Sequence, residues 1–374
     1  MKKLISLLLL AAAQCALALT PAEQSIAQAR QAIEKNPRQS EGYNTLALAL
    51  ARRARETSDV AYYAQAEEAA EQSLAVAPGN FGGLKARAWI LLGQHEFAKA
   101  REVAAELNQR APDDVLVYGF LTDANVELGN YDEAEKACNW MLKLRPGNVP
   151  ALTRAAYLRE IFGNPTGAIE LMKIAYQATP VRETEDRAWI LTQIAHLYLT
   201  SGKTEDAANV LNQALDSFPD YHYALAGLAK VRTAQHRHEE SVQLLRRRYQ
   251  AAPHAENLYD LAEALEAAGK HEEARAAFVE FETQSLAESE KWDNSNRELI
   301  FYYADYAHQP DKALEVAERE RARRHDVYTL DAYAWALHVN GRDAEARDAM
   351  REALSVGIQD DRLRRHAAEI ERSW

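Results

Sequence analysis

The chain has 374 residues and a formal net charge of −12; hydrophobic residues make up 47%, largely alanine and leucine, while glycine and proline are few. That balance favours long, small-residue helices over turn-rich sheets. The negative charge argues against a nucleic-acid binder, which needs a basic face to neutralise phosphates.

Lys2 and Lys3, the apolar run Leu4 to Ala13 and the triplet Ala16-Leu17-Ala18 follow the order of a secretory signal peptide over residues 1–18. The run is too short to span a bilayer comfortably. Cleavage after Ala18 and export to a bacterial periplasm or beyond are therefore expected, with no transmembrane span left in the mature chain. Acylation at Cys15 is disfavoured because Gln14 stands where a lipoprotein signal wants a small residue. Cys138 is then the single cysteine, expected to be a buried small hydrophobe with no disulfide partner.

Residues 19–37 read as one lone helix, Ala22 to Lys35, closed by Pro37. Beyond it, Pro78, Pro112, Pro146 and Pro180 stand 34 residues apart, and Pro219 and Pro253 resume the spacing after a five-residue slip within Val181 to Arg187. A fixed period of this length means one supersecondary unit used repeatedly. The unit from Asp113 to Pro146 is the clearest: Tyr118, Leu121, Thr122 and Asn125 on a first helix, a turn at Gly129, then Ala134, Cys138 and Met141 on a second. Gly129 ends the first helix without a Cβ clash, Ala134 lets the helices approach, and Pro146 punctuates the exit.

The same grammar recurs. Turn glycines at Gly93, Gly129, Gly163, Gly202, Gly269 and Gly341 are each followed five residues later by an alanine, Ala98, Ala134, Ala168, Ala207, Ala274 and Ala346. Two further units keep the pattern without glycine, one with His236 and Ser241, the other with Gln309-Pro310 and Ala313. The unit from Glu41 to Pro78 is long. At the far end, Asp360 to Glu371 forms an amphipathic helix with Leu363, His366, Ala367 and Ile370 on one face, within a capping segment at 359–374.

Across almost the whole mature chain these positions resemble the tetratricopeptide repeat (TPR) superfamily. The resemblance implies an all-α, right-handed helix–turn–helix solenoid of about nine repeats over residues 38–358, between two capping helices. The run Val327 to Leu337, with Gly341-Arg342 and Glu345-Ala346, looks like the last repeat of a group of bacterial exported TPR proteins, and Ala151 to Glu160 like their middle; that likeness implies no particular activity.

In such a solenoid the first, or A, helix of each hairpin lines a concave groove. Counting back from each turn, the central groove position falls on Arg87, Asp123, Tyr157, His196, Lys230, Glu263, Tyr302 and Trp335. Flanking positions are Trp89, Trp189, Tyr223, Glu256, Tyr259, Glu266, Glu298, Asp305, Tyr328 and Asp331. An aromatic lining that turns acidic toward the C-terminus suits a protein or extended peptide with basic groups. It also leaves open that these rings pack on the next repeat, or that they stack against carbohydrate. A clamp for an anionic chaperone tail does not fit, since no Lys-x-x-x-Asn occurs in the chain.

The apparent chemical motifs dissolve into the repeat. Gly202-Lys203-Thr204 lacks the upstream glycine of a phosphate loop, Leu197 standing there instead. His236 and His238 are too few for a metal site. The runs Arg246 to Arg248 and Arg321 to Arg324 end second helices, where cations complement the helix dipole and long side chains cover apolar surface. The sequence thus predicts a non-enzymatic scaffold that uses no cofactor or metal, ahead of a carbohydrate-binding envelope component or a metal-dependent enzyme.

Overall fold

The computed structural model describes residues 19–57, 59, 61–289 and 295–372; the predicted signal peptide lies outside the described residues. Those residues form helices and no strand. Helix α1 (Pro21–Lys35) opens the chain, held by a capping box in which the Thr20 hydroxyl accepts from the Glu23 N–H and the Glu23 carboxylate accepts from the Thr20 N–H at 2.8 Å.

Nine hairpins follow among the described residues. The first four are α2 (Ser40–Thr57) with α3 (Ala61–Val76), α4 (Phe81–Gly93) with α5 (Phe97–Arg110), α6 (Val115–Glu127) with α7 (Tyr131–Leu144), and α8 (Val149–Ile161) with α9 (Pro165–Ala178). The next three pair α10 (Thr184–Thr200) with α11 (Thr204–Ser217), α12 (His222–Ala234) with α13 (His238–Ala251), and α14 (Ala255–Ala267) with α15 (His271–Glu288). In the eighth, α16 (Asn296–Phe301) runs into a π-helical turn at Tyr302–Tyr306 before α17 (Pro310–Arg321). The ninth is α18 (Val327–Val339) with α19 (Asp343–Leu354), and α20 (Asp361–Arg372) caps the array, burying Leu363 and Ile370.

One backbone feature sets the register of eight hairpins. The residue between the helices takes a left-handed conformation: glycine at 129, 163, 202, 269 and 341, and histidine at 95, 236 and 308. Five residues later stands a buried small side chain, including Ala100, Ala134, Ala168, Ser241 and Ala313. The α4–α5 hairpin therefore turns on His95 (φ 55°) rather than Gly93, and Ala100 is the close-approach residue while Ala98 is exposed. This shifts the sequence-derived register by two. Gly93 is small for another reason: a Cβ there would meet the Tyr63 hydroxyl at 2.7 Å. The central inner position of this unit moves accordingly from Arg87, which is exposed, to Trp89.

The five-residue slip lengthens a helix. α10 has 17 residues where α4, α6, α8, α12, α14 and α18 have 13, and its extra first turn carries Glu185 and Asp186. These meet α2 across the solenoid. Arg55 reaches Glu185 at 2.5 Å and Asp186 at 2.7 Å, while Arg52 reaches Glu183 at 3.0 Å.

The other end closes in the same way. Arg324 pairs with Glu127, the His325 N–H donates to the Glu127 carbonyl at 2.8 Å, and the Val327 N–H donates to the Tyr131 hydroxyl at 2.9 Å. Gln359 donates to the Gly163 carbonyl at 3.2 Å. A single apolar cluster contains Val126, Leu158 and Ile161 together with Val327, Leu330, Leu337 and Ile358. Chain separations of 196 and 197 residues at these contacts make one superhelical turn about six repeats. Successive turns touch, so the concave groove becomes a lumen.

Candidate functional site

Inner positions of the A helices and the loops docked across them enclose four linked cavities. The first, about 470 Å³, lies among Trp89, Phe120, Asp123, Arg154 and Arg55. Arg55 and Gly93 are shared with a second of about 250 Å³, walled by His95, Tyr223, Glu256, Arg297, Glu298 and Arg324. Tyr223 and Glu256 are shared with a third of about 300 Å³, where Tyr157, His196, Lys230 and Tyr328 converge. Glu160 and Tyr328 carry on into a fourth of about 330 Å³, which reaches Gln359 and Asp360.

Most acidic groups predicted to face a ligand are engaged inside the protein. Asp123 accepts two bonds from the Arg154 guanidinium, at 2.7 and 2.5 Å. Glu263 accepts from the Tyr259 hydroxyl at 3.0 Å and the Tyr306 hydroxyl at 3.3 Å. Glu266 lies 2.8 Å from His271 Nδ1, and Asp305 accepts the Trp335 indole N–H at 2.8 Å. Asp331, 2% exposed, holds His366 Nδ1 at 2.7 Å, and that imidazole stacks on the Trp335 ring at 4.3 Å. His196 Nε2 is 2.7 Å from Glu160.

The predicted lining therefore divides. Trp89 and Asp123 wall the first cavity, and Tyr157, His196, Tyr223 and Tyr328 the third. Tyr259 and Tyr302, 2% and 7% exposed, are core instead, packed with Phe278 and Phe281 in an aromatic cluster. Trp189 is half-buried against two apolar clusters. The acidic groups of the C-terminal half are engaged instead by tyrosine, tryptophan and histidine side chains of the same helix, the paired helix, the next repeat or the capping helix.

Counting A-helix positions found Lys230 but missed the lumen's arginines. Arg52 and Arg55 sit at the end of α2, and Arg324 in the loop before α18; closure brings them inward. Arg324, at the end of the Arg321 to Arg324 run, is 6% exposed and also lies over the Phe97 ring at 5.3 Å. Of the other run, Arg248 is buried against Asp260.

Burial and these arginines set the titration of the second cavity. Burial, then the charges of Arg324 and Arg297, pull the His95 imidazole down to about 3. Burial and the neighbouring Glu256 carboxylate push Glu298 up to about 6. His222, buried beside it with Nε2 3.3 Å from the Arg55 carbonyl, is lowered to about 4 by burial and then Arg248. Cys138 is buried and its thiol raised to about 11 by desolvation, an inert packing residue. Among the described residues, no group of three His, Cys, Asp or Glu side chains is arranged to hold a metal ion, and no helix is long and apolar enough to cross a membrane.

Comparison with known proteins gives one family, described as tetratricopeptide repeat, at residues 121–183 and 192–256. No curated protein matches the sequence. Among solved structures, the APC/C hetero-tetramer Cut9–Hcn1 is 13% identical with a TM-score of 0.51, covering 93% of this chain and 58% of that one. The chain thus spans little more than half the length of that relative. The human IFIT1 dimer with m7Gppp-AAAA is 14% identical with a TM-score of 0.55, covering 89% and 85%. At these identities the likeness is one of fold.

Proposed function

The chain is a tetratricopeptide-repeat protein, a class of protein-interaction scaffold, and on that premise we propose that it is a non-enzymatic scaffold of the bacterial envelope that holds a short protein segment in its lumen. The observation that carries this reading is the chain of four cavities joined by shared walls. A run of small chambers that share walls and mix polar with apolar lining suits a few extended residues better than a long helix. The third chamber supplies contact area from Tyr157, Tyr223 and Tyr328, with Lys230 exposed beside them.

The mixed charge of the lumen changes the expected ligand. Arg55, Arg297 and Arg324 face Glu256 and Glu298, so a segment carrying both signs fits better than a purely basic one. The signal-like sequence over residues 1–18 supports export.

Photo-crosslinkers placed at Tyr157 and Tyr223 in intact cells test the lumen, with exposed Arg87 as the comparison position. Crosslinked protein segments are expected at the two tyrosines. Capture only at Arg87 would move the binding site out of the lumen. Fractionation of the same cells, with mass determination of the mature N-terminus, tests export and cleavage after Ala18.

A further inference from the structure

Two apolar patches on the outer side of the solenoid carry opposite charge. Scattered exposed apolar residues are ordinary, but these are grouped. Trp140 and Ile174, 50% and 48% exposed, stand 34 residues apart and so occupy the same place in consecutive repeats, on α7 and α9; Val181, 80% exposed, follows α9. Tyr118 stacks on Trp140 at 6.3 Å, and the Lys143 ammonium lies 5.2 Å from the indole. No Asp or Glu occurs from Lys136 to Arg159, although the chain carries −12 overall, and on α9 the exposed Glu170 stands one turn before Ile174. Lys143, Arg145, Lys173 and Arg182 are all exposed there, which makes this corner basic.

The second patch is the outer stripe of α15. Val279 and Leu286, 56% and 52% exposed, lie two turns apart on one face with exposed Thr283 between them. The helix has five glutamates, of which Glu272 pairs with Arg275, Glu273 with Arg246 and Glu282 with Lys312, so the stripe keeps a net negative charge. It runs 18 residues where α7, α9, α11 and α13 run 14, so its last turn extends beyond the usual hairpin.

The two patches cannot meet within one molecule. α15 follows α9 by three repeats and α7 by four, half to two thirds of a superhelical turn of about six, so they face different ways. We propose that the basic Trp140–Ile174 corner of one copy seats on the acidic Val279–Leu286 stripe of a second copy, joining chains head to tail. Unlike surfaces in contact do not close as a two-fold dimer, and each added copy presents a fresh face. Charge complementarity selects this partner over an anionic lipid surface, which would engage the basic corner alone and leave the apolar stripe of α15 uncovered.

Sedimentation of the mature chain at low salt, up to about 100 µM to reach a weak interface, tests this. One variant, Trp140→Glu with Lys143→Glu, removes the basic face; another, Val279→Lys with Leu286→Lys, removes the acidic one. All four positions are exposed, and matching thermal melts establish that the variants are folded; Arg182→Glu with Lys173→Glu is a charge-only second test of the basic face. Wild type is expected to form a concentration-dependent series beyond dimers that salt weakens. Each variant alone is expected to stay monomeric, and an equimolar mixture of the two to stop at a heterodimer, because one intact face of each kind remains. A wild type that stays monomeric throughout, or a mixture with no heterodimer, overturns the proposal. So does Trp140-dependent binding to anionic phospholipid vesicles by a chain that does not self-associate.

Discussion

Arg324 and Glu127, 197 residues apart in sequence, form an ion pair inside the solenoid, and the adjacent His325 N–H donates to the Glu127 carbonyl at 2.8 Å. Arg324 also binds Asp326 at 2.9 Å. Removing one partner of a buried pair leaves charge without compensation, which costs about 3–5 kcal/mol. Arg324→Met should therefore release the last repeats from the middle ones before the array unfolds. Small-angle scattering should give a larger radius, and hydrogen exchange should quicken across α18 to α20. Unchanged scattering and exchange would show that the pair does not hold the closure.

Glycine substitutions separate the turn from the closure. Gly129, Gly163, Gly202 and Gly269 all have φ near 74° (73, 75, 73 and 74°), so alanine at any of them costs about 1 kcal/mol. At Gly202 and Gly269 an added Cβ meets nothing within 4 Å. At Gly129 it would stand 2.8 Å from the His325 carbonyl oxygen, and at Gly163 it would strike the Gly357 carbonyl. Urea unfolding should show Gly129→Ala and Gly163→Ala to be worse than Gly202→Ala by about another 1–3 kcal/mol. Equal losses at all four would mean that the docked loops yield freely.

Acidification should remove the stability that two buried neutral histidines supply. His222 titrates near 4 and His95 near 3 in the folded chain, against an ordinary 6.5. The unfolded chain takes the protons first, so this stability is complete above 6.5 and is lost as pH falls toward those values, amounting to a few kcal/mol. Glu298, raised to about 6, works in the opposite sense, as do Glu127, Glu185, Glu263, Asp305 and Asp331, whose carboxyls burial also raises, so the histidine part is read as a difference between wild type and variant. His222 is faced by Arg248, His254 and the Arg55 carbonyl, which does not change with pH in this range. From about pH 7 to about pH 5 the melting temperature of wild type should fall relative to that of His222→Gln. A difference from wild type that stays constant over this range for both His222→Gln and His95→Gln would place the sensitivity elsewhere.

The shifted register of the second hairpin has a direct check. Ala100 is fully buried (0%) and Ala98 exposed. Ala100→Leu should cost about 1–3 kcal/mol by overpacking, whereas Ala98→Leu should stay within about 0.5 kcal/mol. The reverse order in denaturant midpoints would restore Gly93 as the turn.

How far the candidate site was legible follows from the range of the interactions that build it. Trp89, Asp123, Tyr157, His196, Tyr223 and Tyr328 were found by counting from turns, because a repeat presents equivalent positions to the same side. Tyr259, Tyr302 and Asp331 obey the same count and are buried, since neighbouring A helices and α20 close over them. Arg55 and Arg324 obey no count; they lie at a helix end and in a connecting loop.

The sequence alone determined the hairpin unit, its number and its punctuation, because proline, left-handed turn residues and close-packed alanines act over fewer than 40 residues of chain. It also carried the five-residue slip before Pro219, though not its consequence. Only the tertiary structure decided that this slip extends α10 toward Arg52 and Arg55, that His95 rather than Gly93 turns the second hairpin, and that the groove is a closed lumen. The physical reason is that small rotations between repeats add up over six units. Whether two turns of a superhelix touch depends on that sum, and no local pattern of residues records it.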